Sequence, residues 1–254
     1  MIDSPIHNSH GERLDYRFAR ATGGTAKAGW LVILAHGVTG DLDRPVVADT
    51  AAALNAAGFD TLRISFAGNG DSEGDFRAAT ITKEMFDLTA VIDTAIAHYP
   101  KLAVVGHSMG AAVGVMTAAG NPRVAALVSL AGMVDTRKFA ETEFGDVAPD
   151  DGVMWDEPDC PLSSAFMVDL CDTIGNVTPQ AEMVATPWLL VHGTADDVVL
   201  PADTESIASL RGDAVTAHFI EGADHSFNVP AHKHEMTALV VAWLTEVANG
   251  SSHE

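Results

Sequence analysis

The chain has 254 residues, and its 35 acidic and 14 basic side chains give a formal net charge of −21. Phosphate binding requires clustered Lys and Arg, so this balance argues against nucleic acid as a partner. Hydrophobic residues make up 47% of the chain, but no apolar run approaches the roughly 18 residues of a membrane span, so we expect no membrane partner.

Apolar runs alternate with helical patterns along most of the chain. The sequence predicts an opening hairpin over 6–10 and 12–18, strands over 30–35, 59–65, 102–105, 124–130, 188–191 and 214–220, and helices over 45–57, 82–98, 203–210 and 232–247. Such alternation predicts an α/β fold, with a mostly parallel central sheet and helices on both faces. Residues 135–185 interrupt it with one helical pattern, so we expect a small lid insertion there, within a single domain over 1–254.

A G-x-S-x-G motif lies where the predicted strand 102–105 ends. Small residues typical of a helix packed closely on a sheet follow it, which is the setting of a nucleophile elbow. The glycines at 106 and 110 suit a strained turn that leaves no room for β-carbons. The sequence therefore predicts Ser108 as a nucleophile. Ser72 lies in a second G-x-S-x-G without such flanks, and we interpret it as a loop residue.

A nucleophilic serine needs a base and an acid that orients the base. His225 follows the last predicted strand, where the order serine, acid, histidine places the base. The loop after strand 188–191 offers two acids. We prefer Asp196, because we expect Asp197 to cap or solvate the next turn. Asp135 is a third candidate.

Other residues near these loops have predicted roles as well. The backbone N–H groups of Val38 and Met109 are the expected oxyanion donors, because they lie in the loop after strand 30–35 and directly after the nucleophile. His107 lies within the elbow, and His36 and His192 end strands beside glycines. We expect these three histidines to make structural hydrogen bonds.

Five motifs carry a family resemblance. They are H-G-V-T-G at 36–40, G-N-G-D-S-E-G at 68–74, G-H-S-M-G at 106–110, H-G-T-A-D at 192–196 and D-H at 224–225. Along nearly its whole length the chain resembles the α/β-hydrolase superfamily. Within it, the chain is similar to serine-aminopeptidase-like hydrolases and especially to bacterial cinnamoyl (feruloyl) esterases. Those esterases have H-G-F-T-G and G-H-G-D-S-x-G, so Val38 and Asn69 are departures from their pattern.

The resemblance implies the α/β-hydrolase fold and an insertion that shapes the acyl pocket. It makes Met154, Trp155 and Phe166 candidate pocket residues, with packing of the insertion against the body as the alternative role. Between residues 139 and 210 there is no Lys or Arg, and acidic residues crowd 141–159. From this negative field we expect anionic esters to be disfavoured.

Together these features predict a serine carboxylic ester hydrolase that acts through an acyl-enzyme on small to medium acyl esters, including aromatic acyl esters. Two alternatives stay open: the same triad cleaving an amide, lactone or carbon–carbon bond, and a non-enzymatic ligand-sensing homologue. The expected partner is a small-molecule ester, and the expected state is a monomer or homodimer.

Cysteine usage and the N-terminal residues bear on the compartment. Cys160 and Cys171 are too few for a disulfide framework, and neither has the spacing of a zinc site. Residues 1–12 contain no basic stretch followed by an apolar core, so we expect no secretory signal. We predict a cytoplasmic protein with two free thiols, no metal and no organic cofactor.

Overall fold

A mostly parallel β-sheet forms the centre of the molecule. The structure, a computed structural model, describes residue 2 and residues 4–250. Its strands are β1 (Ile6–His7), β2 (Arg13–Leu14), β3 (Tyr16–Ala19), β4 (Trp30–Ala35), β5 (Asp60–Ile64), β6 (Lys101–His107), β7 (Val124–Leu130), β8 (Trp188–Gly193) and β9 (Thr216–Ile220). Within the described residues, β1 and β2 form a hairpin and the others form a seven-stranded sheet in the order β3-β5-β4-β6-β7-β8-β9. Only the pairing of β3 with β5 is antiparallel among the pairs of this sheet in the described chain.

Helices cover both faces of the sheet, as predicted. They are α1 (Pro45–Ala56), α2 (Ile81–Ala95), α3 (Met109–Ala118), α4 (Thr136–Phe144), α5 (Ser164–Val168), α6 (Thr178–Ala181), α7 (Pro201–Arg211) and α8 (Pro230–Ala248). Strand β4 shows how the two cores arise, because all its residues are buried and successive side chains point to opposite faces. Leu31 and Ile33 belong to the core under α2, α3 and α7. Val32 and Leu34 belong to the core under α1 and α8.

The insertion, residues 135–185, contains more helix than the sequence predicts. Helix α4 forms because Asp135 caps its first turn, accepting a hydrogen bond from the Lys138 N–H at 2.9 Å. Phe139 and Phe144 are buried on one face of α4, and its acidic residues hide that pattern in the sequence. The helical pattern that was predicted here corresponds to α5, which continues into a π-helical turn over Asp169–Ile174.

The carboxyl ends of the parallel strands bring four loops to one edge of the sheet. The register of β4 and β6 ends with Ala35 opposite Gly106, so the loop after β4 and the turn after β6 leave the sheet side by side. The Ser108 N–H donates to the Leu130 carbonyl at 2.9 Å, which ties this turn to the end of β7. The Thr194 N–H donates to the carbonyl of Ile220, the last residue of β9, at 3.0 Å. This edge therefore gathers the predicted site residues of the sheet loops.

Smaller predictions are also answered by the structure. Ser72 lies in a loop, where its hydroxyl donates to the Ser65 carbonyl and accepts from the Asp15 N–H, both at 2.7 Å. It ties the loop to the sheet, in agreement with a structural role.

Cys160 and Cys171 are free thiols. In the described part of the chain, no helix has the length and apolarity needed to cross a membrane.

Candidate active site

Ser108 lies at a sharp turn between β6 and α3. Its backbone has φ 56° and ψ −120°, a conformation that residues with a side chain rarely adopt. A Cβ added at Gly106 would lie 2.2 Å from the Gly110 carbonyl oxygen, and one added at Gly110 would lie 2.3 Å from the His36 carbonyl oxygen. Both glycines are therefore needed for the close approach of strand, helix and loop.

A buried carboxylate orients the imidazole of His225. Nδ1 of His225 donates to Oδ2 of Asp196 at 2.8 Å. The other oxygen, Oδ1, accepts from the N–H groups of Val198 and Val199, both at 3.0 Å. Asp196 is 4% exposed, so these partners replace the water that a carboxylate would otherwise bind.

The structure distinguishes the three candidate acids. Asp196 contacts His225, whereas Asp197 is exposed and Asp135 caps α4. Of the two roles expected for Asp197, solvation fits its exposure, whereas the cap is wrong, because the amides of the turn after β8 donate to Asp196 instead. Since a single carboxylate satisfies both the turn and the imidazole, the loop fixes the position of the acid before any substrate binds.

His192 is a second partner of Asp196, which the sequence analysis missed. Its Nε2 lies 3.1 Å from Asp196 Oδ2 and 2.8 Å from the Val199 carbonyl oxygen. A carbonyl can only accept, so Nε2 carries the proton and Nδ1 accepts from the Thr204 hydroxyl at 2.7 Å. Burial raises the pKa of Asp196, but the hydrogen bonds from His192 and His225 outweigh it and hold that pKa below its ordinary value. Asp196 is therefore ionised at neutral pH.

The other two histidines of the site also make structural hydrogen bonds, as predicted. Nε2 of His107 donates to the backbone carbonyl of His225 at 3.0 Å. Burial, followed by the charge of His225, lowers the pKa of His107 to about 3, so its ring is neutral. Nδ1 of His36 donates to the Gly37 carbonyl at 2.8 Å, and Nε2 accepts from the Phe66 N–H at 3.0 Å. Burial lowers the pKa of His36 to about 4.

Ser108 and His225 face the same cavity, which has a volume of about 440 Å³. Val38 lines it too, and Met109 is the first residue of α3, where a backbone N–H has no acceptor within the helix. Among the described residues, no hydrogen bond joins the side chains of Ser108 and His225. Such bonds are often long in a site without substrate and tighten when it binds. No group of three or more His, Cys, Asp or Glu in the described chain is arranged to hold a metal ion.

Comparisons with known proteins agree with this architecture. The profile of the serine aminopeptidase family, S33, matches residues 26–148. The structure of Est1E from Butyrivibrio proteoclasticus with ferulic acid bound is similar, with a TM-score of 0.82 at 23% identity over 96% of this chain and 98% of that chain. The chain has the α/β-hydrolase fold. The predicted fold and the resemblance are thus confirmed.

Two further structures show the same α/β-hydrolase fold. The esterase domain of a Rhodothermus marinus protein has a TM-score of 0.72 at 21% identity and covers 94% of this chain and 95% of its own. An α/β serine hydrolase without a lid from Xanthomonas campestris has a TM-score of 0.66 at 21% identity, covering 99% of this chain and 94% of its own. No curated protein matches the sequence.

The three candidate pocket residues have different environments. Trp155 lines the cavity, whereas Met154 and Phe166 do not. The prediction for those two is corrected: they are 2% and 1% exposed and belong to the core that joins the insertion to the body. Trp155 is fixed by a 2.7 Å hydrogen bond from its Nε1 to Glu143 and by ring packing on Phe144, with centroids 4.9 Å apart. It presents a rigid aromatic wall to the cavity.

Proposed function

We propose that this α/β-hydrolase is a serine carboxylic ester hydrolase that cleaves small to medium acyl esters, including aromatic acyl esters. The observation that carries the proposal is the 2.8 Å hydrogen bond from His225 to Asp196 at the cavity that Ser108 also lines. With Nδ1 bound to a carboxylate, the imidazole holds its proton there and presents Nε2 as a base. A strained serine beside such a base is the arrangement that acyl transfer requires.

The residues then act in two half-reactions. Ser108 Oγ attacks the ester carbonyl while His225 Nε2 takes its proton, and Asp196 stabilises the imidazolium. The N–H groups of Val38 and Met109 hydrogen-bond the oxyanion of the tetrahedral intermediate. His225 gives the proton to the departing alcohol, which leaves an acyl group on Ser108. Water, activated by His225, then attacks the acyl-enzyme and releases the acid.

Neighbouring groups keep this arrangement in place. The amides after Asp196 hold one oxygen of the carboxylate and His192 contacts the other, Oδ2, which also accepts from Nδ1 of His225. The hydrogen bond from His107 to the His225 carbonyl fixes the backbone of the base. Because His107 directly precedes Ser108, this hydrogen bond links the loop of the base to the last residue of β6, next to the nucleophile.

The cavity supports the proposed substrate class. Its volume of about 440 Å³ suits a small to medium acyl group. Trp155 provides a flat wall against which an aromatic acyl group can pack. The ferulic acid in the similar Est1E structure favours an aromatic acyl group as well.

Covalent labelling tests the role of Ser108, with the second G-x-S-x-G motif as an internal control. We expect a fluorophosphonate probe to label the wild type and Ser72→Ala but not Ser108→Ala. Hydrolysis of p-nitrophenyl butyrate should fall by at least about 10⁴-fold in Ser108→Ala. Labelling of Ser108→Ala at the wild-type level would exclude this serine as the nucleophile.

The same assay separates the proposal from its alternatives. An esterase turns over p-nitrophenyl butyrate faster than the matching p-nitroanilide amide, since the ester has the better leaving group. A wild type that neither reacts with the probe nor turns over an ester, amide or lactone would instead be a ligand-sensing homologue.

A further inference from the structure

The cavity beside Ser108 contains a positive charge that the mechanism above does not use. Arg44 lines this cavity, and no other Lys or Arg does so in the described chain. The residue directly precedes Pro45, the first residue of α1, so its backbone is fixed by the start of the helix. Arg44 is exposed, and the hydrogen bonds of its Nη2 to Thr39 hold the guanidinium at the wall of the cavity.

Most of the hydrogen-bonding capacity of Arg44 is unused. Its Nη2 donates to the Thr39 carbonyl at 2.9 Å and to the Thr39 hydroxyl at 3.3 Å. A guanidinium has five N–H groups, so those on Nε and Nη1 have no protein acceptor among the described residues. No carboxylate in this part of the chain forms an ion pair with Arg44, although acidic residues outnumber basic ones by 35 to 14.

The charge of Arg44 is felt at His107, which lines the cavity, and at Cys160 in the insertion. Burial is the main cause of the low pKa of His107, the neighbour of Ser108, and Arg44 lowers that pKa further. Burial raises the pKa of Cys160, in the insertion, and Arg44 opposes the rise. An acyl group on Ser108 would therefore lie within the field of this guanidinium.

We propose that Arg44 binds a carboxylate of the substrate, so that the enzyme prefers esters with a free carboxylate over neutral esters of the same size. This inference rests on the proposed ester hydrolysis and names its substrate class. Arginine suits the role because its planar N–H groups can hold a carboxylate through two parallel hydrogen bonds.

The proposal reverses the expectation drawn from the acidic insertion. That expectation used the net charge of residues 141–159, whose field is screened by salt beyond about 10 Å. Arg44 instead offers direct hydrogen bonds at the wall of the cavity, which a distant net charge cannot provide. Glu157 is the acidic side chain that lines the cavity in the described structure, and its carboxylate accepts a hydrogen bond from the Cys160 thiol at 3.4 Å.

Two matched substrate pairs test this inference. The first is the monoester of glutarate with p-nitrophenol and its neutral isostere, in which an isopropyl group replaces the carboxylate. The second carries the carboxylate on the alcohol: the butyrate ester of glycolate and that of isobutanol, followed by pH-stat titration. For each pair the readout is the ratio of kcat/KM for the anionic ester to that for the neutral ester. The two pairs distinguish an anion on the acyl group from one on the alcohol.

We expect the ratio of at least one pair to fall about tenfold in Arg44→Gln. Arg44→Lys should lower it by a smaller factor, because a lysine keeps the charge but not the paired N–H groups. This second variant keeps the test decisive where Arg44→Gln does not fold. Arg20 is exposed like Arg44 but does not line the cavity, so Arg20→Gln, which removes the same charge, should leave the ratio unchanged.

Three results would overturn the inference. If kcat/KM falls equally for both members of each pair in the Arg44 variants, Arg44 positions the Thr39 loop and does not bind the substrate. If the kcat/KM ratio falls as much in Arg20→Gln as in Arg44→Gln, the net charge, not a contact, sets the preference. A ratio unchanged in both Arg44 variants excludes the contact directly. Absence of turnover of all four esters by the wild type would instead refute the proposed ester hydrolysis, and with it this inference.

Discussion

Exchange of Asp196 for asparagine has an outcome that the surrounding hydrogen bonds determine. The N–H groups of Val198 and Val199 both donate to Oδ1 at 3.0 Å, so an asparagine must keep its carbonyl oxygen there. Its NH₂ group then replaces Oδ2. That group would lie 2.8 Å from Nδ1 of His225 and 3.1 Å from the protonated Nε2 of His192.

An NH₂ donor facing Nδ1 forces His225 into the tautomer with its proton on Nε2. That nitrogen can no longer accept the proton of Ser108. We expect kcat to fall about 10⁴-fold, which corresponds to about 5 kcal/mol of transition-state stabilisation. Asp196 does not line the cavity, so the binding of substrate should change little and the loss should fall on kcat.

Asp197→Asn is the matched control, since it removes the same charge from the next, exposed residue. The assay is steady-state hydrolysis of p-nitrophenyl butyrate, with far-UV circular dichroism to verify that both variants are folded. The reasoning fails if Asp196→Asn has a kcat near the wild-type value. It also fails if Asp197→Asn loses as much activity as Asp196→Asn.

Two further predictions concern stability. Gly110→Ala should lower both the melting temperature and kcat, because the new Cβ would lie 2.3 Å from the His36 carbonyl oxygen. Gly114→Ala should be tolerated, because its Cβ would lie 3.2 Å from a flexible methyl group. Equal melting temperatures of the two variants would contradict this. Burial raises the pKa of Glu84 above its ordinary 4.5, so the folded state keeps a proton that the unfolded chain loses, and stability falls as the pH rises from 4.5 towards the folded pKa. The stability of Glu84→Gln relative to the wild type, measured by urea unfolding, should therefore grow by up to about 1.4 kcal/mol per pH unit as the pH rises above 4.5. A difference in stability that stays constant as the pH rises would refute this.

The sheet was predictable because parallel strands that are buried on both faces appear in the sequence as short, continuous apolar runs. Strands β4 and β7 lie at the predicted residues, since each is an uninterrupted apolar or small-residue run. The turn at Ser108 was predictable for a different reason. At positions 106 and 110 a Cβ would lie 2.2–2.3 Å from a carbonyl oxygen, so only glycine fits. The two glycines of the motif therefore indicate the tight turn directly.

Other features of the fold and the site could not be predicted, because they depend on contacts that the sequence pattern does not reveal. The buried residues of helix α4 lie among exposed acidic ones, and the partner that covers its apolar side, the π-helical turn, is recognised only in the structure. Met154 and Phe166 are apolar whether they line a pocket or a core, so composition cannot separate the two roles. The bond from His192 to Asp196 forms because the loop after β8 curls back, which brings residues four positions apart together.

The described hydrogen bonds that place Ser108, Asp196 and His225 come from the sheet and its edge loops, and none of them comes from residues 135–185. Trp155 and Glu157 reach the cavity only as walls. The sheet loops thus position these three residues without help from the insertion, which adds part of the cavity wall. Residues 155 and 157 could therefore be exchanged to reshape that wall while the hydrogen bonds of Ser108, Asp196 and His225 stay in place.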